Sequence, residues 1–132
     1  MRLTKNFTLS ELTKTNTGIT NQPNKQELQA LIILSGKVLQ PLRDIYGKAI
    51  AVNSGFRSYA VNKAVGAAKG SQHSKGEAAD LTTHTKEGNK QLFEIIKSEL
   101  EYDQLINEYD YSWIHVSFKA DGRNRKQILK IG

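Results

Sequence analysis

The strongest constraint on the fold of this chain lies in one run of ten residues, SQHSKGEAAD, at positions 71–80. Within it, His73 and Asp80 are seven residues apart and are separated by Gly76. If the chain turns at the glycine and the aspartate then lies on a strand, the two side chains can reach one cation. Zinc accepts imidazole nitrogen and carboxylate oxygen at roughly 2.0 to 2.2 Å, and a hydrolytic zinc site has three protein ligands and one water. A third ligand is therefore expected from another part of the chain.

The segment WIHVSF at 113–118 contains the best candidate for that third ligand. Its alternation is typical of a half-buried strand whose aliphatic and phenylalanine side chains point into the core. His115 then lies on the opposite face and is free to bind a metal. A single histidine, or one spacing of this kind, is more often structural than metal-binding. The prediction of a metal site formed by His73, Asp80 and His115 therefore depends on the three occurring together.

Four segments resemble one enzyme superfamily when they are taken together. They are Ser-x-His-x2-Gly-x-Ala-x-Asp at 71–80, NSGFRS at 53–58, WIHV at 113–116 and the opening NFTLSEL at 6–12. In order and spacing they are similar to the zinc D-alanyl-D-alanine carboxypeptidases and L-alanyl-D-glutamate endopeptidases, to which the hedgehog signalling domain is related in fold. The opening segment most resembles the short phage and prophage branch, and the likeness extends from Asn6 to Leu129. The resemblance implies zinc as the cofactor and a peptidoglycan stem peptide as the substrate.

A peptidase of this kind also needs a carboxylate that takes a proton from water and delivers it to the leaving amine. Many members of the family carry this acid three residues before the last histidine, where this chain has Ser112. In the phage-type branch a Leu-Ile-x-Glu run supplies the acid, so the resemblance assigns the role to Glu108. A hairpin closing over the intervening turn would pair Glu108 with Trp113, on the same face as the proposed histidine ligand. Asp110 and Glu77 stay open as alternatives for the general base.

The resemblance also implies residues that contact the substrate. The family places an arginine beside the metal, and Arg57 occupies that position between a predicted strand and a predicted helix. A fixed guanidinium there could bind a substrate carboxylate or stabilise the oxyanion of the reaction; a structural arginine that bridges loop carbonyls is the alternative. Ser71 and Gln72 are expected to hydrogen-bond the peptide. Asn124-Arg125 resembles the family's tail and is predicted to close the fold without a catalytic role.

The composition restricts the classes of function. The chain contains no cysteine, so any metal must be held by His, Asp or Glu, and a cysteine nucleophile is excluded. No apolar run approaches the roughly 18 residues of a membrane span. Lys and Arg outnumber Asp and Glu by 19 to 13, which favours an anionic partner. No nucleic-acid module is recognisable; a cell-wall polymer with carboxylates and phosphates fits the charge equally well, as does a merely solubilising surface.

The hydrophobic pattern predicts a single α+β domain over residues 1–132, with a small antiparallel sheet and helices packed on one side. Strands are predicted at 49–53, 78–83, 103–107 and 113–118, with a short edge at 128–129, and helices at 7–14, from Asn24 to Gly47 with a restart at Pro41, at 59–65 and at 86–100. A flexible loop is predicted over Gly66–Gly70. The start lacks the apolar core of about 7 to 15 residues found in secretory signals. We therefore expect a monomer that is made in the cytoplasm and acts on the cell wall after release.

These observations favour one interpretation over two rivals. The favoured one is a zinc peptidase of peptidoglycan in phage- or prophage-associated lysis, of either the D-Ala-D-Ala carboxypeptidase or the L-Ala-D-Glu endopeptidase type, since both use the same metal core. The alternative is an inactive, zinc-stabilised cell-wall-binding module, because Ser112 stands where the acid is usual. A third hypothesis, that the basic surface binds nucleic acid, predicts salt-dependent binding that ignores zinc.

Overall fold

The computed structural model describes residues 1–67 and 70–132. Along the chain the elements are β1 (Arg2–Thr4), β2 (Phe7–Thr8), α1 (Leu9–Thr13), α2 (Lys25–Leu34), a π-helical turn (Ser35–Leu39), α3 (Gln40–Tyr46), β3 (Ala51–Ser54), α4 (Tyr59–Ala64), a 3-10 helix (Gln72–Lys75), β4 (Ala78–Thr82), α5 (Lys86–Glu99), β5 (Gln104–Glu108), β6 (Trp113–Ser117) and β7 (Gln127–Ile131). The helices pack against a sheet whose strands are mainly antiparallel, so the predicted α+β class is confirmed.

The main sheet has the strand order β3-β4-β6-β5-β7. The first four strands pair antiparallel, as expected. The predicted short edge at 128–129 is also present, but it is the longer strand β7, and it pairs parallel to β5. The connection 118–126 explains this direction, because it carries the chain from the end of β6 past the start of β5 before β7 begins. There the Lys126 amide donates to Tyr102 O and the Gln127 amide to Asp103 O.

One face of the sheet packs on the helices and forms the hydrophobic core. The alternation predicted for the segment at 113–118 is confirmed, since Ile114 and Val116 are fully buried against the helices. Leu81 on β4 lies on this face as well. The helices contribute the following buried side chains: Leu31, Leu34 and Leu42 from α2 and α3, and Leu92 and Ile96 from α5. Because side chains alternate across a strand, the neighbours of Leu81 and Ile114, Asp80 and His115, lie on the opposite face.

Side-chain and glycine caps mark the ends of the helices. Thr8 and Asn24 each form a capping box, at the start of α1 and of α2. Ser58 caps α4, and Gly47 ends α3 in the left-handed conformation. The helix changes from π to α at Gln40, next to the predicted restart at Pro41, and Pro41 lies in the first turn of α3.

Several local features were not predicted. The hairpin of β1 and β2 is too short to give a periodic signal, and the π-helical turn at Ser35–Leu39 takes up the break ahead of α3. The loop predicted over Gly66–Gly70 falls partly outside the described residues, which omit 68 and 69. Within the part of the chain that the structure describes, no helix is long and apolar enough to cross a membrane.

Candidate metal centre and active site

The 3-10 helix after Ser71 positions His73. Ser71 Oγ accepts from the His73 amide at 3.2 Å and so caps this helix, which ends at Gly76 with φ +75°. The imidazole is buried, and its Nδ1 lies 2.7 Å from the carbonyl oxygen of Gly55. A carbonyl can only accept, so Nδ1 carries the proton. The other ring nitrogen, Nε2, then faces Asp80 Oδ1 at 3.4 Å.

Asp80 and His115 are directly opposite each other on the paired strands β4 and β6. Their side chains meet on the face away from the helices, with Nδ1 of His115 3.0 Å from Oδ1 of Asp80. One ligand atom from each of His73, Asp80 and His115 lies within 4.8 Å of the other two, and all three residues are buried.

This donor set fits zinc. Two imidazoles and one carboxylate are typical ligands of a catalytic zinc ion, with a fourth position open to water. Ligands about 2.0 to 2.1 Å from a tetrahedral zinc ion lie roughly 3.3 to 3.4 Å apart, close to the 3.4 and 3.0 Å that separate Asp80 Oδ1 from the two imidazole nitrogens. The hydrogen bond from His73 to Gly55 is of the kind that orients metal-binding histidines.

The electrostatics of the cluster keep its carboxylate ionised. Burial by itself would raise the pKa of Asp80, but hydrogen bonds and charge from His115 and His73 outweigh burial and hold that pKa well below its usual range. Arg57 adds a further positive group, with Nη2 3.4 Å from Asp80 Oδ2. An ionised aspartate is the form that binds a metal.

Glu108 lies where the predicted hairpin would place it. It is directly opposite Trp113 on β5 and β6, and the Trp113 indole Nε1 donates to Glu108 Oε2 at 3.0 Å. The glutamate is half-buried and lines the same cavity as the metal cluster. Burial, followed by the charge of Asp80, raises the pKa of Glu108. A carboxyl group in this environment is typical of a general acid or base.

The two competing acids lie elsewhere. Asp110 is exposed in the turn between β5 and β6 and forms an ion pair with Lys86 at 2.7 Å. Glu77 Oε2 accepts from the Ala120 amide at 2.9 Å. Neither belongs to the lining of the metal cavity. Ser112, which occupies the position of the acid in many members, is exposed, and its hydroxyl donates to Tyr109 O.

Arg57 is brought to the metal cluster by the turn between β3 and α4. Its backbone amide donates to His73 O at 3.1 Å, its Nε donates to Ser54 Oγ at 2.9 Å, and its Nη2 faces Asp80. Among the residues that the structure describes, the side chain pairs with a hydroxyl and a carboxylate and not with loop carbonyls. These side-chain contacts use two of the five donors of the guanidinium.

Ser71 and Gln72 both line the cavity, and their predicted contacts with substrate stay predictions. The amide of Gln72 is also engaged with the protein: its Nε2 donates to Asp103 Oδ2 at 2.7 Å, and its Oε1 lies 3.4 Å from His115 Nε2. Sequence reasoning did not single out Asp103. Its ion pair with Arg125 depends on two segments far apart in sequence, and only the resemblance of the tail pointed to Arg125.

The cluster opens into a cavity of about 540 Å³. Its lining residues are Arg57, Gly70, Ser71, Gln72, His73, Asp80, Gln104, Ile106, Glu108, Trp113, His115 and Ile131. This volume lies within the usual range for small-ligand sites, roughly 300 to 1,000 Å³. A second, polar cavity of about 640 Å³ borders the turn between β5 and β6, and His84 lines that cavity instead of the metal site.

Comparison with known proteins gives two related findings. A sequence profile described as Peptidase M15 matches residues 5–117, most of the chain, and thereby confirms the predicted family and the predicted enzyme class, a zinc metallopeptidase. A zinc D-Ala-D-Ala carboxypeptidase from Streptomyces albus G is 38% identical over 78 residues, which amount to 58% of this chain and 31% of that protein. The matched region thus spans about a third of the length of this relative.

Proposed function

Because this chain belongs to the peptidase M15 family and brings two histidines and an aspartate to one buried point, we propose that it cleaves a peptide bond in the peptidoglycan stem with a bound zinc ion. The position of Glu108 carries this proposal. A module that only holds zinc for stability has no need of a half-buried carboxylate in the same cavity, hydrogen-bonded so that one oxygen is fixed.

The residues around the cluster support hydrolysis. A zinc ion held by His73, Asp80 and His115 would polarise the substrate carbonyl and lower the pKa of a bound water to about 7. Glu108 takes the proton of the attacking water and later delivers it to the leaving amine. The Trp113 indole holds Glu108 Oε2, which leaves Oε1 of the carboxylate for proton transfer.

Arg57 provides the positive group for the substrate. Its bonds to Ser54 and Asp80 fix the guanidinium at the edge of the metal cluster, and it lines the cavity. A carboxylate of the stem peptide, or the oxyanion that develops at the attacked carbonyl, would be stabilised by the remaining donors. The formal charge of +6 favours approach to an anionic wall polymer.

The name of the Streptomyces relative supports the D-Ala-D-Ala bond as one candidate for cleavage. The L-Ala-D-Glu bond is the other, and a setting in phage or prophage lysis is supported by the opening segment NFTLSEL at 6–12. In that setting the protein acts on the wall after release from the cell that makes it.

Digestion of purified muropeptides, analysed by mass spectrometry, tests the proposal. The zinc-loaded protein is expected to give a product that disappears when a chelator removes the metal. Loss of one alanine from the stem would identify a carboxypeptidase, and separation of the stem after its first residue would identify an endopeptidase. Intact muropeptides in the presence of protein with zinc confirmed bound would overturn the proposal in favour of the inactive wall-binding module.

A further inference from the structure

Three hydrogen-bonded side chains, those of Gln72, Asp103 and Arg125, connect the metal cluster to the start of β5 and the connection before β7. At their centre is Asp103, which is fully buried. Its amide donates to Ser117 O, and its carbonyl accepts from the Gln127 amide, so both neighbouring strands fix its backbone. The carboxylate accepts from Arg125 Nε at 2.9 Å and Nη2 at 2.8 Å, and from Gln72 Nε2 at 2.7 Å. Gln72 thus faces a carboxylate that is itself held in place.

This arrangement fixes which way the Gln72 amide points. Hydrogen bonds from Arg125 hold the pKa of Asp103 down at about 2, so the carboxylate is ionised and can only accept. Gln72 must therefore present its NH2 group to Asp103, and its Oε1 points to His115 Nε2 at 3.4 Å. An oxygen opposite Nε2 favours a proton on that nitrogen. Nδ1, the nitrogen that faces Asp80 Oδ1 at 3.0 Å, is then the one that a zinc ion shared with Asp80 would bind in place of a proton.

We propose that Gln72 is a positioning residue that, held by Asp103 and Arg125, selects the tautomer of His115 in which Nδ1 is free to bind zinc. For His73 the backbone carbonyl of Gly55 has the equivalent role at 2.7 Å, on the other ring nitrogen. The two histidines thus bind through different nitrogens, and each non-ligand nitrogen has its own acceptor. The inference rests on the zinc site and does not require hydrolysis.

Zinc affinity measured by chelator competition on the loaded protein tests this role. Gln72→Met keeps the length of the side chain and removes both of its hydrogen-bonding groups, and Asp103→Asn keeps the shape and removes the charge. Each is expected to weaken zinc binding about 10- to 100-fold, as other orienting partners of metal ligands do. Because both act through one amide, the double variant should lose little more than Gln72→Met alone. Gln104→Met is the matched control, since Gln104 lines the same cavity but bonds to Gln127.

Nitrogen-15 NMR of the imidazoles in the zinc-loaded proteins gives a readout that a merely structural role would not move. In the wild type, the His115 proton is expected on Nε2 and should exchange slowly with water; in Gln72→Met it should exchange faster. The Nδ1 proton of His73 is the internal control and should not change.

Either of two results would overturn the inference. One is that the Gln72→Met variant binds zinc as tightly as the wild type, and the other is that zinc binds to Nε2 of His115. If circular dichroism shows that Asp103→Asn does not fold, the comparison of Gln72→Met with Gln104→Met decides the question without it. Chelator competition needs no turnover, so failure here is distinguishable from failure of the proposed peptide cleavage.

Discussion

At the scale of single residues, Glu108 is the position where a substitution should reduce cleavage without affecting metal binding. It lines the cavity of the cluster and accepts a hydrogen bond from Trp113, but the three-residue cluster that could hold the metal does not include it. Glu108→Gln keeps the shape of the side chain and the acceptor for the indole while removing the base. We expect cleavage of muropeptides to fall about 10²- to 10⁴-fold with zinc content unchanged, as measured by product formation and metal analysis.

The matched controls for this substitution are the two competing acids. Asp110→Asn and Glu77→Gln remove one negative charge each, as Glu108→Gln does, at sites outside the cavity lining. Both should cleave at close to the wild-type rate. If cleavage slows in Asp110→Asn but keeps its wild-type rate in Glu108→Gln, then Asp110, in the turn, is the general base.

Trp113 gives a second prediction at this scale, which concerns pH. Its indole hydrogen bond favours the ionised form of Glu108 and lowers the pKa of that carboxyl group, against burial and the charge of Asp80, which raise it. Trp113→Phe keeps an aromatic ring and loses the donor, so the pKa of Glu108 should rise further. A general base acts when ionised, and the acid limb of the pH profile of kcat/KM should therefore move to higher pH. An acid limb that stays in place or moves to lower pH would contradict Glu108 as the base.

At the scale of secondary-structure elements, local pattern explains what could be predicted. The alternation around His115 placed it on the face away from the core, and pairing across one short turn placed Glu108 opposite Trp113. The parallel direction of β7 and the contact of Gln72 with Asp103 were not predicted. Both depend on contacts between segments that are distant in sequence. The hydrophobic periods of 2 and 3.6 residues identify strands and helices but do not predict such contacts.

Gly76 shows how one element depends on a backbone position. It ends the 3-10 helix of His73 and starts the path to Asp80 with φ +75°, and an added Cβ would collide with the carbonyl oxygen of Glu27. Gly76→Ala therefore incurs both the left-handed conformation, roughly 1 to 2 kcal/mol, and a forced shift of backbone between two metal ligands. We expect a larger loss of unfolding free energy in urea than that cost alone, together with weaker zinc binding.

Gly47→Ala is the control for this prediction. Gly47 has φ +78° at the end of α3, and an added Cβ would meet no atom within 4 Å. This variant should incur only the conformational cost and bind zinc normally. Equal losses of stability and of zinc affinity in the two alanine variants would show that the contact with Glu27 is unimportant.

At the scale of the whole molecule, the metal cluster joins parts of the chain that are far apart in sequence. Its three ligands come from the 3-10 helix, β4 and β6, so a bound ion cross-links segments that separate on unfolding. A ligand that binds only the folded state stabilises it by about 2.7 kcal/mol when its free concentration is 100 times its Kd. Treatment with a chelator should therefore lower the Tm, and added zinc should restore it in proportion to the logarithm of free zinc.

The double variant His73→Ala/His115→Ala should melt at the same temperature with and without chelator, because it has lost two of the three ligands. If the wild type loses its zinc, as shown by metal analysis, and keeps its Tm, then the fold is already complete without the ion, and the cluster serves the reaction alone.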